Sequence, residues 1–148
     1  VHHGNGTQDA FWTDPQVGFF SMHRWPLYPG TGDSDETGAG DGLGATFNLP
    51  IAMGTTRRDC LNRFATELTR FADRLRPELV LISAGFDAHR NDPVGSLGLE
   101  SEDFTELTAV VRQVADAHAG GKVASVLEGG YNPKALAECV DLHLQALA

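Results

Sequence analysis

The chain has 148 residues, 41% of them hydrophobic, which suits one globular domain able to bury a core. Eleven basic against twenty acidic residues give a net charge of −9, which argues against direct nucleic-acid binding, because that needs a basic face. No stretch suits a transmembrane helix or a signal peptide, and Cys60 and Cys139 lack the paired spacing of a disulfide framework or thiolate zinc site, so a cytoplasmic setting is expected.

In chain order, His2 and His3 stand before Gly4-Asn5-Gly6, the kind of turn that follows a strand end. The chain starts at Val1 without a methionine and reads as a piece of something longer. Residues 17–22 are a strand candidate. Residues 28–44, with six glycines and little apolar content, read as a long functional loop. Residues 46–49 are a second strand candidate. A helix is predicted over 57–75, where Leu61, Phe64, Ala65, Leu68, Phe71, Ala72 and Leu75 recur at helical spacing, with Thr56 as cap and Arg76-Pro77 as stop. A second helix is predicted over 102–119, with Phe104, Leu107, Val110, Val111 and Val114 on one face, Ser101 as cap and Gly120-Gly121 as stop. A third starts at Asn132-Pro133 and carries Leu136, Val140, Leu144 and Leu147. Between the helices, residues 79–82 and 123–127 are short apolar runs of strand length, and their lack of alternation suggests burial on both faces. The alternating pattern predicts an α/β fold, a parallel sheet with helices on both faces, and the whole chain as part of one domain.

In such a sheet, ligands gather beyond the carboxyl ends of the strands. After 79–82 comes Asp87, with His89 and Asp92 close behind; after 123–127 come Glu128 and Tyr131; His2 and His3 sit at the chain start. Carboxylate, imidazole and phenol converging on one rim suit metal-assisted hydrolysis. Each also has a plainer reading: a surface His pair, an Asp that caps the next turn, and a half-buried Tyr among turn glycines. His23, His118 and His143 look structural or exposed. Residues 40–45 match G-x-G-x-x-A, but that fingerprint must follow a strand and open a helix, and here it runs into a strand, so the nucleotide reading is rejected.

Four segments in order, residues 2–8 (HHGNGTQ), 26–32 (PLYPGTG), 83–89 (SAGFDAH) and 127–132 (LEGGYN), resemble signatures of the histone deacetylase family. That family includes acetylpolyamine amidohydrolases and acetoin-utilisation proteins. The wording of the last two segments is similar to its class II and bacterial branch. The resemblance implies an arginase-like parallel sheet and a zinc site in which His2 and Asp87 are two of three protein ligands. The third, an Asp, would fall before Val1, as would the family's tandem histidines that include the general base. By the same resemblance Tyr131 stabilises the oxyanion, Tyr28 and Val94 wall an acyl-lysine tunnel, and Gly129 lies at its floor. His3 and Asn5 support the site, Asn5 standing where class I members carry an aspartate. Structural potassium is implied at His2, Ser21 and Met22, and again at Phe11, Asp14 and Val17.

The expected function is therefore zinc-dependent hydrolysis of an acyl amide, with acetyl-lysine as the leading substrate and an acetylated polyamine or other small amine as the alternative. This chain would carry only part of the active site and be inactive alone. His2, Asp87 and Tyr131 are expected on one rim, at the carboxyl ends of three strands. A non-catalytic α/β binding module is the rival if the natural chain begins at Val1. A binuclear manganese hydrolase is disfavoured, because only His89 and Asp92 are at hand as further ligands near Asp87.

Overall fold

The computed structural model describes residues 1–148. They form two compact units: His2–Thr55, and Thr56–Ala148 together with Val1. The elements in order are α1 (Asn5–Ala10), β1 (Phe19–Trp25), a 3-10 turn (Gly40–Gly42), β2 (Thr46–Ala52), α2 (Arg57–Leu75), β3 (Val80–Ala84), α3 (Ser101–His118), β4 (Val123–Leu127) and α4 (Pro133–Leu147). The α/β expectation holds, with every strand pairing parallel. The hydrogen-bonded ladders are two pairs, however, β1 with β2 and β3 with β4, one pair in each unit.

In the first unit, β1 and β2 run in register from Phe19↔Thr46 to Trp25↔Ala52. Both continue three residues past the predicted ends. Polar His23 and imino Pro50 hide that continuation in the sequence. Here they are register partners, and a proline is tolerated in a strand that lies at a sheet edge. The stacked rings of Phe20 and Phe47, 5.4 Å apart, lie across the pair. The turn expected at Gly4-Asn5-Gly6 is instead the start of α1, a six-residue helix with no side-chain cap. The glycine-rich stretch before β2 is tied down: Ala39 N–H donates to Trp12 O at 2.9 Å and Gly44 N–H to Thr37 O at 2.7 Å. Its Gly40–Gly42 turn runs into β2 rather than a helix.

In the second unit, α2 occupies the predicted span. Thr56 caps it by accepting from Asp59 N–H, and Arg76 closes it in the left-handed region at φ +52°. The α3 helix packs against α2 and α4 and forms the crossover between β3 and β4. Its cap is Glu100 rather than Ser101: the Glu100 side chain and Asp103 form a reciprocal capping box, and Ser101 is the first helical residue. For α4 the cap is Asn132, whose Oδ1 accepts from Lys134 and Ala135 N–H. The buried stripe of α4 is Ala135, Cys139 and His143, while Leu144 stays 57% exposed. The strands β3 and β4 are not buried on both faces either. Leu81 is 70% exposed, Val126 60% and Leu127 58%; from the helices, His143 of α4 reaches Ser125 of β4. No helix is long and apolar enough to cross a membrane.

Candidate functional site

The parallel pair β3 and β4 delivers two loops to one rim. The ladder extends into both: Glu128 N–H donates to Ala84 O at 3.0 Å, and Phe86 N–H to Gly129 O at 2.8 Å. Asp87 lies three residues past β3 and Tyr131 four past β4, so the same-rim expectation holds for this pair. His2 belongs to the other unit and precedes α1 rather than following a strand of this chain.

Asp87 is 3% exposed. A carboxylate that deep needs a cationic or hydrogen-bonding partner. The main-chain nitrogen of Val1 lies 2.5 Å from Oδ1. Glycines line the recess: a Cβ on Gly129 would come 2.7 Å from Asp87 Oδ2, and one on Gly85 3.2 Å from Oδ1. Gly129 is therefore dictated by space. The Asp87 carboxylate is a hard oxygen donor of the kind that a divalent cation such as zinc accepts.

Tyr131 is 52% exposed, while its main chain is anchored. The anchor is Asp92. Its Oδ1 accepts from Val94 and Gly95 N–H, each at 2.9 Å, and its Oδ2 accepts from Tyr131 N–H at 2.7 Å. Burial pushes the Asp92 carboxyl up, but the backbone donors of Gly95, Tyr131, Val94 and Asn132 outweigh it and hold it below its ordinary value. A second tie runs from Asn132 Nδ2 to Asn91 O at 2.9 Å. Val94 itself is 57% exposed. In the sequence, Asp92 stands out only as a neighbour of Asp87. The available signal was Asp-Pro-Val-Gly, in which an Asp accepts from the N–H groups two and three residues on. His89 is likewise committed to local structure, with Nδ1 accepting from Asn91 N–H at 3.1 Å and Nε2 3.4 Å from Ser101 Oγ. Both side chains thus serve local hydrogen bonds in the loop after β3.

In the other unit, the His2 ring is half-buried and stands edge-on to Tyr28, with centroids 6.2 Å apart; Tyr28 is 79% exposed. His3 is buried. Its Nε2 donates to Gln8 Oε1 at 3.0 Å, and its Nδ1, 2.8 Å from Thr31 Oγ1, accepts from that hydroxyl. Gln8 also accepts from Asn48 Nδ2 at 2.7 Å and donates to Glu36 Oε2 at 2.6 Å. Burial pushes the Glu36 carboxyl up, but Gln8 and the N–H groups of Gly32 and Asp33 outweigh it and bring it below its ordinary value. No spacing in the sequence signals this network. Asn5 is exposed at the start of α1. Ser21 is buried with its hydroxyl 3.0 Å from His23 Nδ1, and His23 Nε2 donates to Gly32 O at 2.9 Å. Gly32, at φ +95°, has no room for a Cβ, which would lie 2.5 Å from His23 Nε2. Asp14 N–H donates to Phe11 O at 3.0 Å, and Asp14 Oδ1 accepts from Gln16 N–H at 2.8 Å. Met22 lies within β1 and Val17 just before it.

The chain matches the histone deacetylase domain over residues 1–147. It is 42% identical over 140 residues to histone deacetylase 10, chloroplastic, of Oryza sativa subsp. japonica, covering 95% of this chain and 32% of that protein. It is 43% identical over 156 residues to polyamine deacetylase HDAC10 of Homo sapiens, covering 99% of this chain and 22% of that protein. Two solved structures resemble it: the HDA15 HD domain, at TM-score 0.91 and 35% identity, and an acetylpolyamine aminohydrolase from Burkholderia pseudomallei, at 0.88 and 30%. Each match covers 99% of this chain, and 41% and 42% of those chains. The chain thus spans well under half the length of these relatives.

Proposed function

The chain belongs to the histone deacetylase family, and from that premise we propose that it serves a zinc-dependent hydrolysis of an acyl amide, with acetyl-lysine in a peptide as the leading substrate. The relatives themselves include a polyamine deacetylase and an acetylpolyamine aminohydrolase, which keeps an acetylated polyamine as the second reading. One observation carries the proposal: buried Asp87 and half-exposed Tyr131 share the carboxyl rim of β3 and β4, with Gly129 pressed against the Asp87 carboxylate.

His2 and Asp87 would hold the zinc, an imidazole nitrogen and a carboxylate oxygen of the kind that ion takes. When bound, zinc supplies a Lewis acid for the acyl carbonyl and lowers the pKa of water. Tyr131 donates its phenolic hydrogen to the oxyanion that develops as the amide carbonyl is attacked. A donor already aimed there stabilises the transition state more than the ground state. Tyr28 and Val94, both exposed, would flank the acyl chain, with Gly129 at its floor. His3, fixed between Gln8 and Thr31, and Asn5 at the start of α1 would steady the segment that carries His2. Potassium belongs to the same proposal, at His2, Ser21 and Met22 and at Phe11, Asp14 and Val17. The Ser21 hydroxyl, with its hydrogen on His23 Nδ1, keeps oxygen lone pairs for such an ion. A cytoplasmic location agrees with two buried cysteines that remain free thiols.

The test is Tyr131→Phe in the complete, metal-loaded enzyme, assayed on an acetyl-lysine peptide and on an acetylated polyamine. Turnover should fall about a hundredfold or more, with KM and zinc content little changed, as when a single oxyanion donor is removed. Unchanged turnover in the folded, zinc-loaded variant would refute the mechanism.

A further inference from the structure

We infer that Asp92 is a positioning residue for this hydrolysis, one carboxylate that fixes the main chain of Tyr131 and the Val94 wall as a single piece. The inference rests on the hydrolytic reading of Tyr131 given above.

Every lone-pair direction that Asp92 uses points at a backbone donor. Oδ1 is shared by Val94 and Gly95 N–H, which folds the Asp-Pro-Val-Gly turn; Oδ2 is given to Tyr131 N–H across 39 positions of sequence. The side chain is 9% exposed, so water competes poorly for these bonds. A carboxylate accepting three N–H groups is stronger than any neutral acceptor of the same size. The geometry also separates two functions. A carboxylate that served only the turn would need one oxygen, whereas the second oxygen has Tyr131 as its partner. That bond joins the loop after β3 to the loop after β4 beyond the last rung of the ladder. There Tyr131 is half exposed and no strand pairing remains to hold it. Asn132 Nδ2 on Asn91 O ties the same two loops one residue further on. A phenol on an exposed loop can serve an oxyanion only if its Cα is held to a fraction of an ångström.

Asp92→Asn is the informative change. An amide has one acceptor oxygen. Oriented to keep Val94 and Gly95, it turns an NH2 group against Tyr131 N–H, so the tether to Tyr131 is lost while the turn survives. In the complete, metal-loaded enzyme, kcat and KM are measured for Asp92→Asn, Tyr131→Phe and the double variant, together with hydrogen exchange at the Tyr131 amide. We expect Tyr131 exchange to speed up at least about tenfold and kcat to fall about ten- to a hundredfold, the scale of a misplacement near 1 Å, with KM moving less. Placed on Tyr131→Phe, the Asp92 change should cost little more, because the phenol it serves is already gone. An equal loss in both backgrounds, or unaltered Tyr131 exchange, overturns the inference and leaves Asp92 a fold residue. Full activity of Tyr131→Phe alone would sink the hydrolytic reading first, and the inference with it. Should Asp92→Asn fail to fold, Asp92→Glu keeps the charge, moves the acceptors by one methylene and runs through the same cycle.

Discussion

Residues His2–Thr55 bury Ala45, Leu49 and Ile51 as apolar side chains but His3, Gln8, Ser21, His23, Thr46 and Asn48 as polar ones. In Thr56–Ala148 the weight is reversed. Cys60, Leu61, Phe71, Phe86, Leu99, Phe104, Val114, Ala115 and Cys139 make an apolar interior between three capped helices and a parallel pair. Buried polar groups appear there mainly in the loop after β3 and in the first turns of α3. The contrast shows two ways of defining a structure. Apolar packing tolerates local error, because burial is nondirectional and a side chain of similar volume recovers much of it. A buried polar network tolerates little, since each lost partner strands another group away from water.

The largest effect should come from opening the apolar interior. Phe104 is 5% exposed and lies against Phe86, with ring centroids 5.2 Å apart. Phe104→Ala should cost about 3–5 kcal/mol in urea unfolding. Phe104→Leu should recover most of that, leaving about 1.5 kcal/mol. If the leucine were as damaging as the alanine, ring geometry rather than volume would govern this unit.

The first unit should respond the other way to preserved volume. Gln8→Leu keeps the size of the side chain but removes the acceptor of His3 Nε2–H and Asn48 Nδ2–H and the donor to Glu36. It should cost about 2–4 kcal/mol, since buried partners are left unpaired. A loss under about 1 kcal/mol would mean that the polar interior is as forgiving as the apolar one.

The same contrast explains what could be read from the sequence. The span of α2 and the start of α4 were legible because their signals are local: Thr56 before an amphipathic run, and Asn132 before Pro133. Asp87 and Tyr131 were legible as rim residues because strand ends can be located from neighbouring residues. The short α1 was not, since Gly4, Asn5 and Gly6 carry turn preferences and its six residues have no apolar periodicity. The buried face of α4 was not legible, because the apolar spacing lies in Leu136, Val140 and Leu144. The chain instead buries Cys139 and His143, whose place is set by Ser125 and Thr108 on other elements. Gln8 meets Glu36 and Asn48 across 28 and 40 positions, and Asp92 meets Tyr131 across 39. No spacing rule reports such pairs.

The smallest expected effect is a pH response, and it arises once in each unit. His143 has Nδ1 2.7 Å from Thr108 Oγ1 and Nε2 2.8 Å from Ser125 Oγ. The Thr108 hydroxyl donates to Phe104 O, so His143 carries its hydrogen on Nδ1 and accepts from Ser125 at Nε2. His23 is the opposite tautomer, donating from Nε2 to Gly32 O and accepting at Nδ1 from Ser21. Burial lowers the pKa of both. For His23, the Gly32 carbonyl opposes that shift and nearby His3 adds to it. Below the ordinary histidine value of 6.5 the unfolded chain takes up protons that the folded one refuses, so acid favours unfolding. Stability should therefore be full above pH 6.5 and decline as pH falls from there toward the lowered folded-state values. Asp92, Asp103 and Glu36 are held below their ordinary values of 3.8, 3.8 and 4.5, so their contributions are lost only at lower pH. The interval from 6.5 down to 4.5 thus belongs to the histidines. Urea midpoints at about pH 7 and about pH 5 should show the decline, and His143→Gln should shrink it without abolishing it, because His23 remains. An undiminished decline in that variant would assign the whole response to the polar unit, and no decline in the wild type would show that neither histidine is held neutral by burial.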